Sequence, residues 1–133
     1  MGKLSDEVRR KLNEPSFWHL ATVSPSGTPT VSPVWIDVEG DHVLVNTAAG
    51  RLKERNVRSN PSVALSMANP DNPYERIEIR GRVVEFLEGE PADRSIDSLA
   101  KKYMGVDSYP YRKATEQRVL LRIEPTKVTH ESQ

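Results

Sequence analysis

Leu20-Ala21-Thr22-Val23-Ser24-Pro25-Ser26-Gly27-Thr28-Pro29-Thr30-Val31-Ser32-Pro33-Val34-Trp35 reads as two extended segments folded back on a Pro-Ser-Gly turn. β-Branched and apolar residues fill the arms, and turn formers fill the joint. Working outward, Phe17 to Val23 is expected as a first strand and Thr28 to Val38 as a second. Glu39-Gly40-Asp41 is another tight turn, feeding a strand over His42 to Asn46, and Ser62 to Met67 gives a fourth. Ile77, Ile79 and Val83 alternate with Glu78, Arg80 and Arg82, the period of a half-buried strand. Gly81 stands where a bulge or sharp bend would curve that strand. Gln117 to Ile123 is the last long strand, and Lys127 to His130 extends its pairing. Asn69-Pro70-Asp71-Asn72-Pro73 reads as a loop, because proline cannot donate to a ladder.

Helices are few. Ser5 is a natural N-cap, Asp6 and Glu7 suit a first turn, and Leu4, Val8 and Leu12 share one face before Pro15 ends the helix. Pro91 to Met104 carries an inner stripe of Ile96, Leu99, Ala100 and Tyr103, with Gly105 closing it. Arg51 to Ser59 is a basic helix stopped by Asn60-Pro61. Asp107 to Thr115 is a polar, tyrosine-bearing connection. Many strands, short turns and few helices make the chain mostly β and antiparallel, pointing to a small closed or nearly closed barrel with peripheral helices.

The basic helix follows an extended run and a small-residue turn: Val43-Leu44-Val45, then Asn46-Thr47-Ala48-Ala49-Gly50, then Arg51-Leu52-Lys53-Glu54-Arg55-Asn56. The free N–H groups at a helix start, together with its dipole, favour an anion. Arg51, Lys53 and Arg55 can add charge-assisted hydrogen bonds to a phosphate there. Taken alone, such a run is more often a solvated helix face.

Composition excludes several alternatives. With 133 residues the chain fits one domain with a modest core. Zero cysteines removes disulfides, thiolate catalysis and thiolate metal sites. His19, His42 and His130 are scattered without metal-ligand spacing. A net charge of zero argues against nucleic-acid binding, the positive charge being local to Arg51–Arg58 and opposed by acids over Glu85–Asp97. No long uncharged apolar run spans a membrane, and Met1 to Asn13 holds no signal-peptide core, so a cytoplasmic location is expected. Neither a nucleophile elbow nor a glycine-rich nucleotide loop is present. Redox chemistry carried by a bound cofactor asks least of these side chains.

The order of hairpin, Pro-Val-Trp strand end, third strand and Arg-Leu-Lys-x-Arg-Asn helix, resuming at Arg118-Val119-Leu120-Leu121-Arg122-Ile123-Glu124-Pro125, resembles the pyridoxamine-phosphate-oxidase-like oxidoreductases. Within them it looks most like the small deazaflavin (coenzyme F420) dependent reductases. The resemblance implies a split β-barrel, FMN-binding-protein-like, working as a homodimer with the cofactor site at the subunit interface. Arg51 and Lys53 then match the basic pair at the cofactor phosphate, continued through Leu52, Arg55 and Asn56. Asn46 and Thr47 match the strand end along the cofactor stem. Thr30 to Trp35 matches the strand facing the tricyclic ring, with Thr30, Ser32, Pro33 and Val34 as contacts. Trp35 is open to two readings, a ligand contact or a core or interface anchor.

Two departures separate the chain from the FMN-dependent pyridoxamine phosphate oxidases. Thr30 to Trp35 lacks their strand-borne Arg and Lys, and the chain stops at His130-Glu131-Ser132-Gln133 without their basic, aromatic tail. The anionic phospholactyl and glutamate tail of the deazaflavin suits the charge on Arg51, Lys53, Arg55 and Arg58, with FMN as the alternative cofactor. The implied reaction is hydride delivery to an unsaturated or quinone-like small molecule. A flavin, deazaflavin or haem-like binding module without turnover is the non-enzyme alternative. The acceptor pocket is expected from the loops Asn69 to Tyr74 and Asp107 to Arg112. Tyr111 is the one candidate proton donor, since a phenol can orient and protonate a carbonyl; otherwise solvent supplies the proton.

Overall fold

The computed structural model describes residues 2–132, so Met1 and Gln133, the outer ends of the opening and tail segments read above, lie outside it. Along the described chain come α1 (Asp6–Asn13), β1 (Trp18–Val23), β2 (Pro29–Val34), β3 (Asp37–Glu39), β4 (His42–Ala48), α2 (Leu52–Ser59), β5 (Ser62–Asn69), β6 (Asn72–Glu88), α3 (Glu90–Met104) and β7 (Arg118–Glu131). The Leu20–Trp35 stretch forms its hairpin, from Trp18 opposite Val34 to Val23 opposite Pro29. Gly27 closes the turn at φ +87°, a conformation that other residues rarely adopt.

The second expected strand does not run through to Val38. It stops at Val34, and the chain restarts as β3 after Trp35 and Ile36. The break is stable because α3 satisfies the backbone groups of Ile36. Its N–H donates to the Tyr103 hydroxyl at 3.1 Å, and its carbonyl accepts from Lys102 Nζ at 2.7 Å. Sequence periodicity carries no trace of bonds that arrive from 66 and 67 residues away.

This break also closes the barrel. The strands pair antiparallel in the order β2-β1-β5-β6-β7-β4-β3. The two edge strands are therefore consecutive in sequence, and the three Cα steps from Val34 to Asp37 reach at most about 11 Å. The sheet must curl until its edges nearly meet. Its interior holds Trp18, Leu20, Ile36, Val43, Val45, Leu65, Ile79, Leu121 and Ile123, and Val8 and Leu12 of α1, with Leu4 just before it, join the same core. Ser5 caps α1 as expected, accepting from the Val8 N–H at 3.2 Å.

Gly81 is the predicted bend. The register shifts between Arg80 and Gly81, and a Cβ there would stand 2.6 Å from the Glu124 carbonyl oxygen. The expected loop at 69–73 is instead a two-residue turn, Pro70–Asp71, inside a long hairpin. Pro73 lies within β6 after all, at a position where neither neighbouring strand pairs with it, so its missing N–H removes no ladder bond. β4 and β7 are buried on both faces, because Ala92 of α3 packs over Leu44 and Leu120 on their outer side. That double cover explains the unbroken apolar runs Val43–Val45 and Val119–Leu121.

Candidate functional site

A cleft of about 360 Å³ opens where α3 and the 105–117 loop meet the ends of β2 and β4 and the start of α2. It falls within the roughly 300–1,000 Å³ of small-molecule sites. One part of its lining is cationic, from Arg51, Lys53 and Arg118, beside Asn46. The rest is apolar and aromatic, including Pro33, Val34, Trp35, Ile96, Leu99, Tyr109 and Tyr111. Among the described residues, no carboxylate and no His, Cys or Met lines it.

The cationic part is built in layers. Asn46 points from β4 toward α3, donating from Nδ2 to the Ala92 carbonyl at 2.8 Å and accepting from Arg118 Nε on Oδ1 at 2.9 Å. Arg118, only 5% exposed, also donates from Nη1 to Glu116 at 2.8 Å. Glu116 takes a second bond from Arg51 Nη2 at 3.2 Å. The Arg118 hydrogen bond, opposed by burial and aided by the nearby guanidiniums, holds the Glu116 carboxyl below its usual value. One carboxylate thus anchors two arginines from behind the cleft.

Lys53 has no such anchor. Among the described residues it forms no hydrogen bond or ion pair with protein. Burial lowers its pKa below the ordinary lysine value of 10.5, and the charges of Arg51 and Arg118 lower it further. A half-buried ammonium with two cationic neighbours and no protein acceptor is a site configured for an anion. Glu54 does not fill the gap. Its carboxylate accepts from the Gly50 N–H at 2.9 Å and from Arg58 Nε at 2.7 Å.

The aromatic wall is held from α3. Trp35 stacks on Tyr103 with centroids 5.2 Å apart and planes 6° from parallel. Tyr103 donates to the Ser16 carbonyl at 2.7 Å while accepting from Ile36, and burial raises its pKa. Tyr109 meets Trp35 edge-on at 6.2 Å and Tyr111 at 5.7 Å. The guanidinium of Arg118 lies 5.3 Å from the centre of the Tyr109 ring, joining the two parts of the cleft.

Of the residues expected at the site, the cleft gathers Pro33, Val34, Asn46, Arg51, Lys53 and Tyr111, and Trp35 joins them. Thr30 does not line it; its hydroxyl pairs with that of Thr22 at 3.1 Å. Ser32 is half-buried outside the lining. Thr47 is turned into the barrel, its Oγ1 buried without a protein partner. Leu52 is 49% exposed, and Arg55 is exposed and lines no part of the cleft. The expected charge track splits for a geometric reason. Residues two apart on a helix differ by about 200° in direction, so Arg55 cannot share the bearing of Lys53. Arg58 is engaged with Glu54 and Glu88 and lies over the Phe86 ring. The third cation is Arg118, which sequence reasoning missed as a site residue. A lone charge at the mouth of the apolar run Val119-Leu120-Leu121 was its signal. Of the two loops expected at the acceptor pocket, 107–112 contributes, whereas Tyr74 is 70% exposed and absent from the lining.

The sequence profile of the pyridoxamine 5'-phosphate oxidase family matches residues 4–131. No curated protein matches the sequence. Among solved structures, an F420 reductase is 35% identical with a TM-score of 0.80, covering 91% of this chain and 94% of that one. A putative pyridoxamine 5'-phosphate oxidase from Listeria innocua has a TM-score of 0.71 at 19% identity, covering 94% and 95%. The haem storage protein HutZ from Vibrio cholerae has a TM-score of 0.68 at 18% identity, covering 97% and 95%. The last two likenesses concern the fold alone.

Proposed function

Since this chain belongs to the pyridoxamine 5'-phosphate oxidase family, we propose that its 133 residues form one split-barrel domain acting as a deazaflavin (coenzyme F420) dependent reductase. The observation that carries the reading is Lys53, half-buried beside Arg51 and Arg118 with no protein anion to meet it. Three cations with no carboxylate among the described lining fit the anionic stem of such a cofactor, and Pro33, Val34 and Trp35 offer an apolar surface for its ring. The 35% identity to an F420 reductase favours deazaflavin over FMN, as does a β2 without Arg or Lys. Among the described residues no His, Cys or Met lines the cleft, so a haem there would have only a tyrosine to meet its iron, and this favours the deazaflavin reading.

When bound, the reduced deazaflavin supplies a hydride, an electron pair with its proton, to an unsaturated or quinone-like acceptor. The chain's own work is positioning. Lys53, Arg51 and Arg118 bind the anionic part, while Trp35, Tyr109 and Tyr111 orient the acceptor. Tyr111 is the candidate for delivering the second proton; it is 63% exposed, so solvent reaches the same place. We read the active form as a cytoplasmic homodimer completing its cofactor site at the interface. Phe17 and Val31, 72% and 67% exposed near the end of the cleft and on the edge strand β2, favour a covering partner. Among the described residues, no helix is long and apolar enough to cross a membrane.

The test is turnover. Purified protein is mixed with reduced deazaflavin and menadione, and the return of oxidised deazaflavin absorbance is followed. Catalysed oxidation that needs both partners supports the reading, with Tyr111→Phe slowed by less than the roughly 10²–10⁴-fold of a true general acid. Tight cofactor retention without acceptor-dependent oxidation would instead mark a binding module.

A further inference from the structure

The loop from Gly105 to Gln117 places Tyr109 and Tyr111 on the cleft, yet its middle has few ties to the rest of the chain. Among the described residues, the hydrogen bonds that join 106–112 to the body all end on Asp97 of α3. Asp97 Oδ1 accepts from the Tyr109 N–H at 2.9 Å and from Arg112 Nη2 at 2.5 Å. Arg112 Nη1 reaches Asp93, one turn earlier on the helix, at 3.5 Å. The residue before Asp97 is Ile96, which lines the cleft, and Leu99 lies two residues beyond. One helix turn therefore supplies both the apolar lining and the clamp on the wall facing it.

We propose that Asp97 is a positioning residue that pins the Tyr109–Arg112 segment and so sets the width of the acceptor side of the cleft, making it selective for flat, ring-shaped acceptors. The proposal rests on the reductase reading for the word acceptor, but the clamp and the aromatic wall it holds belong to the chain itself. The chemistry follows from the lining. Trp35 and Tyr109 meet edge-on at 6.2 Å, and Tyr109 and Tyr111 at 5.7 Å and 78°, so the three rings touch and form one continuous aromatic wall of the cleft. Such surfaces favour a planar ring by offset or edge-on stacking. Asp97 itself does not line the cleft, and its effect passes through the backbone of Tyr109 and the guanidinium of Arg112. A carboxylate holding two donors on a loop is a strong local tie, because bonds to an ionised acceptor are about twice as strong as neutral ones.

The experiment uses the full chain in two measurements that need no cofactor. The first is the Tyr109 amide exchange rate in the wild type, Asp97→Asn and Asp97→Ala. The second is binding of 1,4-naphthoquinone, read by quenching of Trp35 fluorescence; the other tryptophan, Trp18, is fully buried. Asp97→Ala is expected to speed Tyr109 exchange and weaken naphthoquinone binding, each at least tenfold. Asp97→Asn, which keeps an oxygen acceptor for the Tyr109 N–H but drops the charge that holds Arg112, should fall between wild type and Asp97→Ala in both. Affinity for deazaflavin, set at the Lys53 part of the cleft, should change less than twofold, a separation that general unfolding would not give. Unchanged exchange in Asp97→Ala, faster exchange with unchanged naphthoquinone affinity, or absence of quenching in the wild type would each overturn the proposal. A protein that binds naphthoquinone through Asp97 but no deazaflavin would instead overturn the cofactor reading alone.

Discussion

Replacing Lys53 with methionine should move binding and stability in opposite directions. Lys53 is disfavoured as a cation in the free protein, first by burial and then by Arg51 and Arg118. The sign follows from proton linkage. Because its folded pKa lies below the unfolded value of 10.5, the unfolded chain holds more protons in that window. Stability therefore rises with pH there, and below the folded pKa the charge opposes folding. Methionine keeps the stem and drops the charge, so the free variant should melt higher, by a few degrees for each kcal/mol relieved. Binding of an anionic cofactor should suffer. A charge-assisted hydrogen bond contributes about 1.5–3 kcal/mol, or about ten- to over a hundredfold in affinity. Wild-type affinity should also weaken as pH climbs through the lowered lysine pKa, and Lys53→Met should flatten that slope. Thermal melts of the free protein, together with cofactor titrations across the alkaline range, measure both. A variant that melts lower and binds as tightly as wild type would refute the assignment of Lys53 to an anion.

Three other expectations probe different parts of the account. Glu54 is buried, and burial alone would raise its pKa, but bonds from Arg58 and the Gly50 N–H outweigh that and lower it from 4.5. Its stabilisation should be complete above the unfolded value and lost as pH falls through the folded one; Glu54→Gln should cost about 1.5–3 kcal/mol at neutral pH and progressively less in acid, as read by denaturant melts. Gly81→Ala forces a Cβ against the Glu124 carbonyl and the Ile123 side chain, so it should destabilise by about 1–3 kcal/mol in the same assay, and an unaltered midpoint would contradict the tight crossing. Light scattering should give twice the 15.0 kDa chain mass at micromolar concentration, and a cofactor-binding monomer would remove the shared-site reading.

The strands were legible where one physical signal governed them. The β1–β2 hairpin followed from its turn chemistry, α1 from its serine cap, and the bend at Gly81 from a glycine in an alternating strand. The break at Trp35–Ile36 was not legible, since Tyr103 and Lys102 supply its hydrogen bonds from a distant helix. At the site, Arg51 and Lys53 stood out as a cluster. The exclusion of Arg55 needed the helical bearing, which the expected charge track had ignored. Arg118 was hidden because it belongs to the site only through a strand pairing that sets it beside β4, with Ala48 opposite and Asn46 within hydrogen-bond reach. Thr47 shows the converse failure. It neighbours Asn46 in sequence, yet strand alternation turns it into the barrel.

We read Lys53, Arg51 and Arg118 as the anion clamp of a deazaflavin site. Equilibrium titration of the purified protein with oxidised deazaflavin and with FMN, in parallel and at two salt concentrations, tests it directly through cofactor fluorescence. Deazaflavin should bind saturably, more weakly with added salt, at least tenfold more tightly than FMN, and at least tenfold more weakly once Lys53 is changed to methionine. Equal or tighter binding of FMN, or deazaflavin affinity indifferent to both salt and Lys53, would contradict this reading.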